Sequence, residues 1–441
     1  GPGGFRRADS LSRAVDSTRA APPPISVAAL LDSATLALPD TSEFAFQPYR
    51  RRYSPDFVAQ PSIGFVRDNF GNGVYGSTAI ALSDVLGNSQ MTFALAINGR
   101  INEGYVQASY ADFTRRVNWA AGVSQVPYFF ALPSTVVQDE PAEGLNQFRS
   151  NTRRLVYRQA QLTAWYPFNR FKRVEVGLTG GIVDDDIVSY VETYSQSTGF
   201  LVTEPEVETT FSNTIGIGQP NIALVHDNTI FGYTGPFLGT RYRLSLGTTI
   251  GGWQYSQFLA DYRRYTRIVG PVTFSTRLLY YGRVGRDADQ FSVFIGIPDI
   301  VRGHTSGSYR RDECGGVIDV NTSSGCLELE RLIGEQVAAG NFELRFPLLT
   351  PQMSFVPAGF PPIEGTVFYD IGMAWNQSST IRWELEPGDR RNPNVRAPIQ
   401  AWGVGARVNL FGLMLFRVDW AFPLRRPGTS SLVTLSLGPT F

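Results

Sequence analysis

The sequence predicts an all-β chain, a transmembrane antiparallel β-barrel of about sixteen strands with a long loop folded into its lumen. Three observations predict it. From about residue 61, strand-length segments recur with charged residues on one parity and apolar or aromatic residues on the other. Connections between them alternate short and long. The composition is rich in Gly (44), Phe (30) and Tyr (19), with 2 Cys and 4 Met, which favours strands and turns over helices.

The 441 residues suit several soluble domains or one large barrel. Basic and acidic residues balance at 39 each, so nothing points to a nucleic-acid partner, which would favour a basic stripe. No apolar run approaches the roughly 18–20 residues of a membrane-spanning helix. Mean hydropathy is −0.11. A barrel escapes that test, because each strand averages lipid-facing and lumen-facing residues.

Residues 1–60 read as a periplasmic linker or lead-in. The chain begins at Gly1 without Met, as a processed or tagged product would. Pro22-Pro23-Pro24 and the short apolar stretch Ser26–Leu38 offer too little core for a domain. Residues 61–441 read as the barrel. In Gly239–Gly251, Arg241, Arg243, Ser245 and Thr249 share one parity, while Leu244, Leu246 and Ile250 share the other. The pattern repeats where strands must be central. Asn341, Glu343 and Arg345 alternate with Phe342, Leu344 and Phe346, and Arg417 and Asp419 with Val418 and Trp420. Charge inside and aromatics outside suit a wet lumen in a lipid exterior. Only a closed barrel satisfies every backbone donor and acceptor there.

Short connections are expected at Leu86–Ser89, Thr114–Arg116, Pro167–Arg170 and Phe411-Gly412, and long ones at 131–151, 184–218, 285–335 and 376–399. That asymmetry is the one between periplasmic turns and external loops. Aromatics near strand ends, such as Tyr128–Phe130, Trp165, Trp402 and Trp420, suit interfacial girdles.

Cys314 and Cys326, the only cysteines, lie in the longest connection and read as a structural disulfide of an oxidising compartment. No zinc ligand set surrounds them. His226 and His304 are isolated and no Gly-x-Ser-x-Gly elbow is present, so no enzyme, metal or cofactor is expected. Asp184-Asp185-Asp186 resembles an acidic calcium cluster but lacks the alternation of a calcium loop, and reads as a solvated strand end. Glu343, Asp370 and Asp419 have Arg302, Arg345, Arg407 and Arg417 as candidate partners, either solvating the lumen or pinning a loop inside it.

The last third resembles the BamA/TamA/FhaC superfamily of outer-membrane assembly and secretion barrels. Val301-Arg302-Gly303-His304 looks like the V-R-G-[FY] tip of that family's sixth external loop. Gly340–Leu348, then Val367-Phe368-Tyr369-Asp370-Ile371-Gly372, look like the two strands that follow. Gly403–Arg407, Leu415–Leu424 and Leu435–Phe441 look like the closing strands, with Phe441 as the terminal aromatic sorting signal. The resemblance implies that Arg302 and Gly303 fold back into the lumen against Glu343, Phe368 and Asp370. His304 stands where the family has an aromatic residue. No segment of residues 1–60 is long enough for a POTRA domain, so substrate capture would fall to an upstream periplasmic domain or an envelope partner.

The resemblance implies insertion or export of outer-membrane proteins, polypeptides or lipids, from a bacterial outer membrane whose lipid is the surrounding partner. A seam between first and last strands, weakened near Gly64, Gly71, Gly73, Gly438 and Pro439, would open in that work. The alternatives are a non-transporting anchor or scaffold of an envelope complex, and a passive porin.

Overall fold

Period-two alternation gives a strand two unlike faces, and a sheet built from such strands inherits them. The computed structural model describes residues 49–59, 62–68, 71–132, 135–139, 144–203, 206–310, 313–314, 326–349, 361–385, 392, 394–410, 414–426 and 428–438. Contacts divide the chain between Arg51 and Arg52, and the sheet belongs to the unit Arg52–Phe441.

The strands are β1 (Tyr53–Val58), β2 (Ser62–Asp68), β3 (Gly71–Asp84), β4 (Ser89–Asp112), β5 (Asn118–Ala131), β6 (Thr135–Asp139), β7 (Leu145–Pro167), β8 (Lys172–Ser195), β9 (Glu206–Asp227), β10 (Ile230–Phe231) and β11 (Pro236–Gly251). They continue with β12 (Tyr255–Val269), β13 (Val272–Val284), β14 (Val293–Phe294), β15 (Ile333–Gly334), β16 (Gln336–Leu349), β17 (Ile363–Trp375), β18 (Thr380–Ile381), β19 (Val395–Arg396), β20 (Ile399–Leu410), β21 (Met414–Leu424) and β22 (Leu432–Gly438). Eighteen of these join one sheet, whose long strands pair antiparallel with their neighbours in sequence. Among the described residues no ladder joins β22 to β1 or β2.

β1 and β2 pair with the two halves of β3 and form one interrupted strand. β5 and β6 do the same against β7. β4 is 24 residues long, which fully extended spans roughly 80 Å. Yet its two ends touch, because the Phe113 N–H donates to the Asn88 carbonyl at 2.7 Å. Gln90–Gly99 pairs with β3 and Val106–Asp112 with β5. The element therefore folds back on itself near residues 100–101 and contributes two arms.

Short turns at 85–88, 113–117 and 168–171 lie where the sequence places them; Phe411-Gly412 lies outside the described residues. Two expected long loops are instead hairpins of extended strand. β8 runs to Ser195 and β9 starts at Glu206, so most of 184–218 is paired in register. Residues 131–151 likewise hold β6 and the start of β7. The acidic run shows why. Asp184, Asp185 and Asp186 each meet an arginine of β7, respectively Arg158, Arg153 and Arg154, so charge pairing carries the ladder onward. These carboxylates alternate between the two sheet faces and do not converge on one point.

The two faces differ as the alternation requires. Leu246, Leu278, Val367, Val404 and Trp420 are exposed on one face. On the other, Thr249, Thr273, Glu343, Asp370, Arg407 and Asp419 are buried. A continuous exposed apolar face of this kind is disfavoured in water and compatible with lipid. No helix among the described residues is long and apolar enough to cross a membrane.

Candidate functional site

Between β13 and β16 the described residues 285–310, 313–314 and 326–335 lie outside the large sheet, and the tip near Arg302 meets its buried face. The segment has its own small core, in which Ile295, Ile300, Val301 and Leu332 pack against Val337, Ala339 and Ala374 of β16 and β17. Its tip carries Arg302, whose side chain is 1 % exposed.

Register explains what Arg302 meets. Glu343 pairs with Phe368, Phe368 with Gly403 and Gly403 with Ala421, forming one row across four strands. The next row holds Arg277, Asn341, Asp370, Ala401 and Pro423. The row on the other side holds Arg345, Thr366, Gly405 and Asp419. Residues two apart share a face, so these charged groups converge beneath the loop.

The Arg302 guanidinium forks onto Asp370, Nε donating to Oδ2 at 2.7 Å and Nη2 to Oδ1 at 2.8 Å. Its Nη1 donates to Glu343 Oε1 at 2.8 Å, and its backbone N–H reaches Asp370 Oδ2 at 3.2 Å. The planar group lies 3.5 Å from the centre of the Phe368 ring. Bidentate charge-assisted bonds and face stacking are the two geometries a guanidinium offers and an ammonium does not.

The surrounding charges complete a closed set. Glu343 Oε2 accepts from Arg345 Nε and Arg407 Nη2, each at 2.9 Å. Asp419 lies 3.6 Å from Arg302 Nη1 and 2.9 Å from Arg417 Nε. Arg417 also pairs with Asp299 of the loop at 3.0 Å. Alternating signs at this spacing offset the desolvation that any one of these charges would suffer alone.

The loop tip has no strand partner, so side chains satisfy its backbone. Arg277 donates to the Asp299 carbonyl, Asn341 to that of Ile300 and Arg426 to that of Gly303. Gly303 has φ +82°, a conformation that suits glycine. A Cβ there would also lie 3.3 Å from Ala421 and 3.5 Å from Pro423. Small residues hollow the sheet below. A Cβ on Gly403 would meet the Trp420 carbonyl and the Phe368 ring, and one on Gly405 would meet Asp419.

Thus Arg302, Gly303, Glu343, Phe368 and Asp370 lie together. Cys314 and Cys326 are disulfide-bonded in the same segment. Phe441 lies outside the described residues. His304 is buried and within reach of the Tyr309 hydroxyl (3.3 Å) and the Gln400 carbonyl (3.5 Å). Burial pushes its imidazole down to about 4, so the ring packs neutral.

Sequence reasoning missed Arg426. From the connection after β21 it donates to Glu313 Oε2 at 2.7 Å, to the Gly303 carbonyl at 2.8 Å and to the Ser308 carbonyl at 2.6 Å. It also stacks 3.9 Å over Tyr309. Burial alone would raise the Glu313 carboxyl; bonds from Arg426 and Thr429 outweigh it and hold the group below its usual range. No local motif marks Arg426. The alternating small residues Ala401, Gly403 and Gly405 were a visible signal of the hollow.

The Omp85 superfamily domain matches residues 154–441. A BamA from Haemophilus ducreyi lacking POTRA domains 1–3 is 15 % identical, with TM-score 0.54 over 88 % of this chain and 70 % of that one. CdiB of Acinetobacter baumannii is 11 % identical (TM-score 0.42, 86 % and 58 % covered) and CdiB of Escherichia coli 13 % (0.45, 86 % and 61 %). The chain therefore spans under two thirds of either CdiB. No curated protein matches. With the family domain covering well over half of its length, this chain belongs to the Omp85 superfamily, whose BamA-like barrels serve protein assembly or secretion in the bacterial outer membrane.

Proposed function

We propose that the chain is a sixteen-stranded barrel that inserts or exports outer-membrane proteins, polypeptides or lipids. In this reading residues 285–335 lie in its lumen, locked through Arg302, Gly303, Glu343, Phe368 and Asp370. The count takes β1 with β2, β5 with β6 and β9 with β10 as single strands, and β4 as two. Both ends of the sheet then fall on the side of the short turns, the periplasmic side.

The observation that carries the reading is the buried fork of Arg302 on Asp370 and Glu343. A charged tip drawn from a connection of about fifty residues onto the face of β16 and β17 occupies space that a passive porin would leave to water. The edge strand β22 pairs over Leu432–Gly438 with β21, and a seam between it and β1 or β2 is the proposed route for substrate. Outer-membrane lipid, together with a periplasmic domain or envelope protein, would be the partners.

The test is reconstitution. Proteoliposomes holding the full chain receive an unfolded barrel substrate, and folding is read as a heat-modifiable gel shift. Faster folding than in empty liposomes is expected. Equal rates, together with stable co-purification of envelope proteins, would replace this reading with the anchor.

A further inference from the structure

The connection between β9 and β11 does something a short turn has no need to do. Residues 228–235 carry β10, which pairs back on Pro236 and Leu238. The Gly232 N–H closes the tip on the Gly235 carbonyl. The tip then reaches away from its own strands. Thr234, 7 % exposed, donates its hydroxyl to Glu364 Oε2 at 2.6 Å. Asn409 Nδ2 donates to the Tyr233 carbonyl at 2.9 Å. Arg345 Nη1 reaches the Pro236 carbonyl at 3.3 Å.

Those partners sit on distant strands. From β11 the ladder passes through β12, β13, β16 and β17 to β20. Five steps at the usual strand spacing cover about 24 Å along the sheet. Direct bonds from the β9–β11 tip to β17 and β20 therefore cross the concave side of a curled sheet. Glu364 begins β17 and Asn409 ends β20, so the crossing is at the short-turn end. Above it stands the charged set of the loop tip. Glu364 lies 3.9 Å from Arg407, which bonds Glu343, which bonds Arg302.

We propose that residues 228–235 are a strap closing the short-turn end of the barrel interior, latched by Thr234 on Glu364 and by Asn409 on the Tyr233 carbonyl. The strap rests on the barrel reading above. It sits on the same charge network that holds Arg302, and passage through the interior from the periplasmic side requires its release. The latch consists of neutral or singly charged hydrogen bonds, each contributing modestly, whereas the lock above it is a forked ion pair. The strap is thus the weaker of two closures in series.

The test compares the full chain with Thr234→Val and Asn409→Ala, alone and together, in planar bilayers. Heat-modifiability on gels establishes that each variant folds. The double variant is expected to show open events at least several-fold more frequent than the unaltered chain, with the single variants between. A second readout is labelling of Thr273→Cys, buried beside the Phe237 carbonyl, by a bulky maleimide applied from the short-turn side. Its rate should rise severalfold in the double variant. Channels that insert but keep unchanged opening and labelling would overturn the strap and leave the barrel reading standing. Failure of the unaltered chain itself to insert or to shift on gels would overturn both.

Discussion

At Arg302 one guanidinium bonds two carboxylates and stacks on a ring, while the residue's backbone N–H donates to Asp370. Removing it leaves Asp370 and Glu343 buried with fewer partners. Arg302→Ala should weaken the hold on the loop by about 3–5 kcal/mol, the cost of stranding a buried charge. Arg302→Lys should fall between, because an ammonium keeps the attraction and loses the fork. Hydrogen exchange of residues 293–310 measures both, with wild type slowest and alanine fastest. Acid should act in the same direction. Glu313 is held low, so its contribution is present above its unfolded pKa and lost as pH falls through the folded value. His304 is depressed from 6.5 to about 4. Between those values the unfolded ring binds a proton that the packed ring refuses, so stability rises with pH there. Protection of the loop should therefore decline as pH is lowered from 6.5 toward 4. His304→Phe should flatten the imidazole part of that profile, and an unchanged slope would remove His304 from the explanation.

Among the elements, β16, β17, β20 and β21 act as one surface. Their rows alternate charge with hollows, and the hollows are made by Ala401, Gly403, Gly405 and Ala421. Gly403→Ala puts a methyl against the Trp420 carbonyl and the Phe368 ring. It should cost about 1–3 kcal/mol, as overpacking generally does, read as a lower unfolding temperature in detergent. An unchanged temperature would mean that the ladder yields there freely. These strands were legible in sequence because period-two alternation and register are the same fact seen twice. Glu343, Phe368 and Asp370 were legible for that reason together with the motif around Arg302. Arg426 was not, since its partners Gly303, Ser308 and Glu313 lie more than a hundred residues away and are joined only by the return of two loops. The hairpin at 184–218 was misread because its acidic run looks like solvated loop. Cross-strand arginines, not hydrophobicity, extend it.

Across the described sheet, three sets of contacts meet its buried face. The Arg426 clamp ties the 285–335 segment to the connection between β21 and β22. The Arg302 fork bonds it to β16 and β17, and residues 228–235, the proposed strap, bond β17 and β20 at the far end. The last hairpin, whose outer edge is the proposed seam, therefore shares Arg426 and Arg417 with the loop. Displacing the loop should alter that hairpin, and moving the hairpin should loosen the loop. Coupling of this kind requires a two-state element that both ends bias, and the loop tip is the element offered.

The most direct measurement is the rate at which proteoliposomes fold an unfolded barrel substrate, compared between the full chain and its Arg302→Ala variant. Both proteins are first matched for insertion and for their own heat-modifiable shift. The variant is expected to insert and stay folded but to lose most of the acceleration over empty liposomes, with Arg302→Lys recovering part of it. An Arg302→Ala protein that folds substrate at the wild-type rate would contradict the claim that the buried tip serves the barrel's work.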